Sequence, residues 1–275
     1  MNSPLLIFAG KEFSDGLRNK WVAGATLILA ALAFALTLLG STPTGVLGIK
    51  PLAVTVVSLS SLTIFLIPLI ALLLGYDAIV GEAERGCLLL ILTYPVSRLE
   101  IILGKFLGHT AILSFATVVG YGAAGAAAAW AGGGDAGSWR AFVWLLLSTV
   151  MLGVAFLALA YLISVLVKER STAAGIAVGL WLFFVIIFDL ALMGGLVASQ
   201  GRMGAGVFAS LLLLNPADVY RLFNLTAFEN VRMLSGMAGL SAAVRFSPLV
   251  LLVVLAAWSV VPLGIAAAVF KRREA

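Results

Sequence analysis

Only a few residues of this 275-residue chain place a reactive side chain where chemistry is expected. Asp189 and His109 each interrupt a long apolar run, and Asp77 lies at the end of another. A carboxylate inside a membrane span costs about 2.5–3.5 kcal/mol at the bilayer centre. Asp189 is therefore either a substrate, ion or partner contact, or a side chain that snorkels or accepts a hydrogen bond. His109 is either a proton relay or a hydrogen-bonded packing residue.

The remaining signals for catalysis are incomplete. Gly81 and Gly86 have the glycine spacing of a P-loop, but Cys87 and Leu88 stand where that loop needs lysine and serine or threonine to hold phosphate and magnesium. The single histidine excludes a histidine-cluster metal site and a triad supported by a second histidine. We therefore predict no catalytic residue, metal site or cofactor in this chain.

The elements that must position these residues are membrane spans. The chain is 63% hydrophobic and 11% charged, whereas soluble domains are about 45–50% apolar and about 25% charged. Continuous apolar runs of about 20 residues predict transmembrane helices. The sequence thus predicts a single, all-α, polytopic transmembrane domain over residues 1–275. The predicted spans are residues 21–40, 52–76, 106–130, 142–167, 172–197 and 248–270.

The distribution of lysine and arginine predicts the orientation. Eleven of them lie at the two termini and in the loops after the second and fourth spans, and only two lie in the short loops opposite. Positive charge accumulates on the cytoplasmic side, so both termini are expected in the cytoplasm. The net charge of +5 is accordingly no sign of nucleic-acid binding.

Two segments outside the spans have a helical pattern. In residues 1–20, Leu6, Phe13 and Leu17 belong to an apolar stripe with Glu12 on the opposite side, which predicts an amphipathic helix in the headgroup plane. The external segment 198–247 is predicted to hold one or two short helices lying on or dipping into the outer leaflet.

The stretch 81–98 breaks off between two spans for a charged turn and a short apolar helix. It reads as a cytoplasmic docking helix, in which Glu82, Glu84 and Arg85 face an aqueous partner and the leucines that follow are half-buried. The alternative is an ordinary interfacial loop.

The residues of this stretch also carry a resemblance. A charged E-x-E-R-G turn, a leucine-rich helix, a Tyr-Pro-x-x-Arg turn and a Gly-Lys-x-x-Gly segment follow one another over residues 81–108. This order is similar to that of ABC-2-type transporter permeases, although Cys87 stands where threonine is common. The resemblance implies the ABC-2, type V exporter-like permease fold of six spans, with an N-terminal amphipathic helix and a cytoplasmic coupling helix.

Segments 11–21, 76–82 and 211–225 look like those of family members that serve the maturation of nitrous oxide reductase. The resemblance implies a homodimer in the bacterial inner membrane that binds two copies of a separate cytoplasmic ATPase, which holds ATP and Mg²⁺. A periplasmic protein would bind the outer face. This machine would assist assembly of the copper–sulfur centres, by moving a sulfur species or by transmitting force.

The same resemblance supplies the expected partner contacts. The ATPase-coupling residues are expected to be Glu82, Glu84, Arg85, Gly86, Leu88 and Leu89. The contacts to the periplasmic partner are expected to be Asn215, Pro216, Asp218, Tyr220 and Arg221.

Two other functions stay open at this point. The first is an ABC-2 exporter of lipid, drug or polysaccharide, which shares the fold but not the periplasmic partner. The second is an ion-coupled secondary transporter that uses Asp189 and His109 and needs no ATPase.

Overall fold

The computed structural model describes residues 3–41, 51–130, 134–200, 204–226 and 246–272, and within them all regular structure is helical. This confirms the predicted all-α class. In chain order the helices are α1 (Pro4–Arg18), α2 (Lys20–Ser41), α3 (Pro51–Gly75), α4 (Val80–Glu84), α5 (Cys87–Leu92), α6 (Arg98–Trp130), α7 (Ala136–Leu166), α8 (Arg170–Leu182), a π-helical turn (Phe183–Ile187), α9 (Phe188–Ala198), α10 (Ala205–Leu212), α11 (Pro216–Thr226) and α12 (Pro248–Arg272).

Six helical segments are long and apolar enough to cross a membrane. The helices that form them contain the six predicted runs to within one residue. Helices α8 and α9 with the π-helical turn between them form one of the six. The largest difference from the predicted bounds is in α6, which begins at Arg98 rather than at residue 106. Hydropathy detects only the apolar part of a helix, whereas the backbone hydrogen bonds continue into its charged first turns.

Helix α7 lies at the centre of the bundle and packs against α3, α6, α11 and α12. Its aromatic side chains Phe156 and Tyr161 are fully buried. Gly153 lies so close to α6 that a Cβ atom there would come within 2.5 Å of Leu113. A small residue at this position lets two backbones approach, as in other membrane helix pairs.

Both described chain ends lie at the same end of the bundle, which we call the termini end. The Arg98 guanidinium, at the start of α6, donates to the carbonyl oxygen of Phe270 near the end of α12 at 3.0 Å. The other end is called the opposite end, and there Gly134 lies against Leu52 at the start of α3.

Helix α1 packs along α6 at the termini end. A Cβ atom on Gly108 would lie 2.6 Å from Glu12 Cβ and 2.7 Å from the Ala9 carbonyl oxygen, and one on Gly104 would lie 2.8 Å from the Leu5 carbonyl oxygen. Only glycine permits this approach. The sequence placed Glu12 opposite the apolar stripe without indicating what that side meets, and in the structure Glu12 faces α6 of the bundle.

Part of the apolar stripe of α1 stays uncovered within the described residues, whereas Phe13 is half-buried and packs edge-to-face on Phe115 of α6. Leu6 is 59% and Leu17 47% exposed, and Trp21 at the start of α2 is 55% exposed. Exposed apolar side chains beside the start of a span are what a helix in the headgroup plane presents to lipid.

Helix α11 is inserted between α3, α7 and α12 at the opposite end. Tyr220 and Phe223 are almost completely buried there. The predicted external segment 198–247 thus contains a helix that packs into the bundle, and its position relative to the outer leaflet stays a prediction. Residues 201–203 and 227–245 of that segment lie outside the described residues.

Candidate functional site

At the termini end, one buried lysine joins three helices. Lys105 Nζ on α6 lies 2.6 Å from Glu12 Oε1 on α1 and 2.8 Å from Glu82 Oε1 on α4, and its side chain is only 4% exposed. An ammonium group this deeply buried needs opposite charges beside it. We call Glu12, Glu82, Lys105, His109 and Tyr161 the Lys105 cluster.

His109 completes this cluster through both ring nitrogens. Its Nδ1 is hydrogen-bonded to the Tyr161 hydroxyl at 2.7 Å, and its Nε2 lies 3.4 Å from Glu12 Oε2. This is the arrangement of a hydrogen-bonded packing residue, and proton relay through it stays a prediction. Burial raises the pKa of Glu12, but the hydrogen bond from His109 and the charge of Lys105 outweigh burial and hold that pKa well below its ordinary value.

The predicted docking helix consists of two short helices, α4 and α5, that meet at Gly86. Gly86 has a φ of 72°, a left-handed conformation that favours glycine. Glu82 faces inward onto Lys105, with its side chain 14% exposed, so the prediction that it faces an aqueous partner is wrong. Leu88 is also buried.

The outward face of α4–α5 is exposed. It includes Glu84 and Arg85 at the turn, and the apolar side chains Leu89 (56%), Leu90 (67%) and Tyr94 (70%). We call these five residues the α4–α5 surface. Exposed leucines beside a charged turn favour a protein partner, and their contact with an ATPase stays a prediction.

Further bonds join the α3–α4 segment to two other spans. Ser164 Oγ on α7 accepts hydrogen bonds from the backbone N–H groups of Ile79 and Val80, both at 3.0 Å. Asp77, in the turn after α3, pairs with Arg170 at the start of α8 at 3.0 Å. A displacement of α4 would thus pull directly on α7, and through the Lys105 cluster on α1 and α6.

At the opposite end, Arg221 on α11 bridges two carboxylates. It lies 2.7 Å from Asp218 on the same helix and 2.8 Å from Asp189 on α9. Asp189, the carboxylate that the sequence places inside a span, therefore has a cationic partner. Burial raises the pKa of Asp218 to about 7, against the lowering effect of Arg221, and the charge of Asp189 raises it further.

The π-helical turn before Asp189 explains how α11 is held. Asn215 Nδ2 donates to the carbonyl oxygen of Phe184, inside that turn, at 2.7 Å, and Asn215 Oδ1 accepts from the Ala217 N–H at 2.9 Å. A π-helical turn changes the hydrogen-bond register of a helix and is common at functional sites. Here the Phe184 carbonyl oxygen, in the π-helical turn, accepts a hydrogen bond from the side chain of Asn215, just before α11.

Hydroxyl and amide groups join α11 to α7. The Tyr220 and Thr149 hydroxyls lie 3.1 Å apart, and Asn224 Nδ2 donates to Ser148 Oγ at 3.0 Å. Burial raises the pKa of Tyr220 to about 12, so this hydroxyl is neutral near pH 7. Helix α7 consequently holds α4 at the termini end, through Ser164, and α11 at the opposite end.

Burial of α11 reduces the number of predicted residues that can contact a periplasmic partner. Asn215, Pro216, Asp218 and Tyr220 are all buried within the chain, whereas the Arg221 side chain is 30% exposed. The contact itself stays a prediction, and Arg221 is the member of the predicted set that can reach a partner without rearrangement.

Sequence reasoning missed the Lys105 cluster as a unit. Lys105 entered the sequence analysis only as the lysine of the Gly-Lys-x-x-Gly segment, whereas the structure pairs it with Glu12, 93 residues away. The available signal was the spacing of Gly104 and Gly108, which flank Lys105 and mark a face where another helix approaches closely.

Comparison with known proteins extends these observations over the whole chain. Residues 6–275 match the model of the family described as ABC-2 family transporter protein. A curated protein of Stutzerimonas stutzeri, "Probable ABC transporter permease protein NosY", is 47% identical over 96% of this chain and 97% of its own length. The protein of the same name from Pseudomonas aeruginosa is 46% identical, with the same coverage of both chains.

Proposed function

Because this chain belongs to the ABC-2 transporter family and is an ABC transporter permease of the NosY type, we propose that it serves the maturation of nitrous oxide reductase. It would couple ATP hydrolysis by a separate cytoplasmic subunit to assembly of the copper–sulfur centres in the periplasm. The observation that carries this proposal is the 47% identity over 96% of the chain.

The proposed location is the bacterial inner membrane, with the termini end in the cytoplasm. The excess of lysine and arginine at the termini and in the loops at this end supports that orientation. The Lys105 cluster and the α4–α5 surface would then lie on the cytoplasmic side, and Arg221 in the periplasmic half.

The α4–α5 surface is the proposed docking site of a NosF-like ATPase. It combines the charged turn of Glu84 and Arg85 with exposed Leu89 and Leu90, so it offers both charge complementarity and apolar area. A homodimer of this chain would present two such surfaces to two ATPase subunits. ATP and Mg²⁺ would be bound by those subunits, and this chain would hold no cofactor.

Helix α7 is the proposed transmitting element. Ser164 and Thr149 are 15 residues apart, which corresponds to about 22 Å along a helix. A rigid helix bonded to α4 at one position and to Tyr220 of α11 at the other can carry a displacement across most of the membrane. These contacts favour transmission of force over movement of a sulfur species.

A NosD-like periplasmic protein is the proposed receiver. Arg221 is partly exposed, and α10 and the turn after it expose Val207 (59%) and Leu214 (57%). A partner bound here would respond to movement of α11, because Arg221 lies on that helix and pairs with Asp189 on α9.

The test of docking is an exchange of charges on the α4–α5 surface. Glu84→Lys combined with Arg85→Glu should abolish co-purification of the ATPase from cells that express all partners. The matched control is Lys168→Glu with Glu169→Lys, an exposed pair in a neighbouring loop at the same end, which should have no effect. Unchanged co-purification of the first variant would refute the docking assignment.

The two other functions predict different ATPase behaviour. If this chain were an exporter of lipid, drug or polysaccharide, ATP hydrolysis by the purified complex would respond to that substrate and not to the periplasmic protein. If it were an ion-coupled transporter, transport would continue without any ATPase. The proposal requires ATP hydrolysis that changes when the periplasmic partner is added.

A further inference from the structure

Three of the six spans are interrupted inside the bundle. Helix α3 contains Pro68 and α12 contains Pro262, and both prolines are buried. A proline has no N–H group to donate to the carbonyl oxygen four residues before it, so the helix loses a hydrogen bond and bends there. The span formed by α8 and α9 changes its hydrogen-bond register in the π-helical turn. The central helix α7, by contrast, runs without proline from Ala136 to Leu166.

The interruptions of α3 and of the α8–α9 span lie at a similar depth. Trp181, two residues before the π-helical turn, donates its indole N–H to the carbonyl oxygen of Phe65 at 2.9 Å. Pro68 follows Phe65 by three residues, which corresponds to about 4.5 Å along a helix. This hydrogen bond therefore joins the two spans next to both of their interruptions.

The interruption of α12 lies near the same level. Phe184, inside the π-helical turn, packs edge-to-face on Trp258, and the ring centroids are 5.6 Å apart. Pro262 follows Trp258 by four residues, which corresponds to about 6 Å. We call the level of Pro68, the π-helical turn and Pro262 the hinge layer.

Helix α11 joins the parts of these spans that lie toward the opposite end. It packs against α3, α12 and the π-helical turn as well as against α7, and its Arg221 pairs with Asp189 on α9 at 2.8 Å. On the same side of the hinge layer, Trp258 donates its indole N–H to the carbonyl oxygen of Leu213, just after α10, at 3.2 Å. These contacts make α11 and the adjoining parts of α3, α9 and α12 one unit.

The bond of Trp181 differs from that of Trp258, because it crosses the hinge layer. Trp181 lies before the π-helical turn, toward the termini end, whereas Phe65 lies before Pro68, toward the opposite end. A movement of the termini-end parts against the unit around α11 would lengthen the Trp181 bond. The Trp258 bond lies wholly within that unit and would not change.

We propose that the hinge layer lets the termini-end parts of α3, α8 and α12 move against the unit around α11, and that the Trp181 bond holds the arrangement seen in this structure. A bend of about 20°, the size of a proline kink, displaces the end of α12 by about 5 Å, because about 10 residues of helix follow Pro262. The movement is a property of this chain alone, so it stands or fails separately from the proposed function.

Pulsed electron paramagnetic resonance of the purified full-length chain measures the movement. Spin labels replace exposed residues after Cys87→Ser removes the native cysteine, and an excess of unlabelled chain restricts the measured distances to one chain. The termini-end pair is Leu166 on α7 with Lys271 on α12. The opposite-end pair is Val143 on α7 with Leu249 on α12. We expect the distances of the termini-end pair to spread over about 5 Å more than those of the opposite-end pair, and equal spreads would overturn the proposal.

Matched proline variants assign this spread to the hinge layer. Pro262→Ala restores the missing backbone donor and should remove most of the additional spread of the termini-end pair. Pro248→Ala, at the first position of the same helix, where no intrahelical bond is missing, should leave it unchanged. An unchanged spread in Pro262→Ala, or equal narrowing in both variants, would refute the hinge in α12.

Matched tryptophan variants test the bond that crosses the hinge layer. Labels at Leu166 on α7 and at Ile176 on α8, which is 43% exposed, report the position of α8. Trp181→Phe removes the crossing bond and should broaden these distances, whereas Trp258→Phe removes a bond on one side of the layer and should not. Equal broadening in both variants, or none in Trp181→Phe, would show that Trp181 does not hold the arrangement.

Discussion

Lys105 brings a positive charge into a site where its side chain is only 4% exposed, and Glu12 and Glu82 neutralise it. The second oxygen of Glu82, Oε2, is buried with no hydrogen-bond partner among the described residues. The lysine therefore compensates both carboxylates in the protein interior, and at Glu12 it does so together with the hydrogen bond from His109. Its importance comes less from the strength of the pair than from the cost of leaving its partners alone.

We expect Lys105→Met to destabilise the protein strongly. The substitution keeps the length of the side chain but leaves two buried carboxylates without their cation, and removing one partner of a buried ion pair costs about 3–5 kcal/mol. Thermal unfolding of the purified protein in detergent measures this loss. Lys11→Met is the control, because Lys11 is 57% exposed and its ion pairs should contribute little. Similar unfolding temperatures for both variants would contradict the role of Lys105.

Asp218 should make stability depend on pH near neutrality. Burial raises its pKa in the folded protein from 3.8 to about 7, so the folded state binds this proton more tightly than the unfolded state. Binding of that proton stabilises the folded state fully below about pH 4. This stabilisation decreases as the pH rises above that value and is lost once the pH passes about 7.

The measurement is the unfolding temperature between pH 5 and pH 8, compared with that of Asp218→Asn. The wild-type protein should lose stability over this range relative to the variant, whose amide does not titrate. Parallel curves for the two proteins would show that Asp218 does not titrate in this range.

Among the helices, α1 shows which features could be predicted from the sequence and which could not. Its apolar stripe was sufficient to predict an amphipathic helix. Elsewhere in the chain, continuous apolar runs were sufficient to predict six spans, and the arrangement of charged turn, leucines and glycines was sufficient to predict the family. The docking of α1 on α6 was not predicted, because helical periodicity places Glu12 on a polar face without saying what that face meets. Likewise, Asn215 and Tyr220 read as external residues because a short polar helix has the same sequence pattern on a surface as inside a bundle.

Gly108→Ala should separate α1 from α6. The added Cβ would lie 2.6 Å from Glu12 Cβ and 2.7 Å from the Ala9 carbonyl oxygen, and such overpacking typically costs about 1–3 kcal/mol. Limited proteolysis and amide hydrogen exchange of α1 report the separation. Gly122→Ala on the same helix has no atom within 4 Å of the new Cβ and should leave α1 protected. Equal protection in both variants would mean that α1 is not held by this contact.

At the scale of the whole molecule, α7 carries side-chain bonds to the polar region at each end of the bundle. Ser164 holds the backbone of the α3–α4 segment, and Thr149 holds Tyr220 of α11. The proposed function depends on this connection, since a permease that transmits force needs at least one rigid element bonded at both ends.

Tyr220→Phe should weaken communication between the ATPase and the periplasmic partner while the complex still assembles. The hydroxyl bond to Thr149 is lost, and a bond of this kind contributes about 0.5–1.5 kcal/mol, which corresponds to a change of roughly 2- to 10-fold in coupling. The measurement is the change in ATP hydrolysis of the complete complex when the periplasmic protein is added. Thr117→Val, which removes a buried hydroxyl bond to the Leu113 carbonyl oxygen within α6, should leave that response intact. An equal response in the two variants would exclude the α7–α11 connection.

The contact between Glu12 and Lys105 also has a consequence for biogenesis. The two residues are 93 positions apart, so at a translation rate of about 5–20 residues per second the lysine leaves the ribosome roughly 5–20 s after the glutamate. During this interval α1 has been synthesised, but the surface of α6 at Gly104 and Gly108 on which it packs has not. The exposed Leu6 and Leu17 allow the newly made α1 to bind the bilayer surface. We expect α1 to take its final position only when α6 has been inserted.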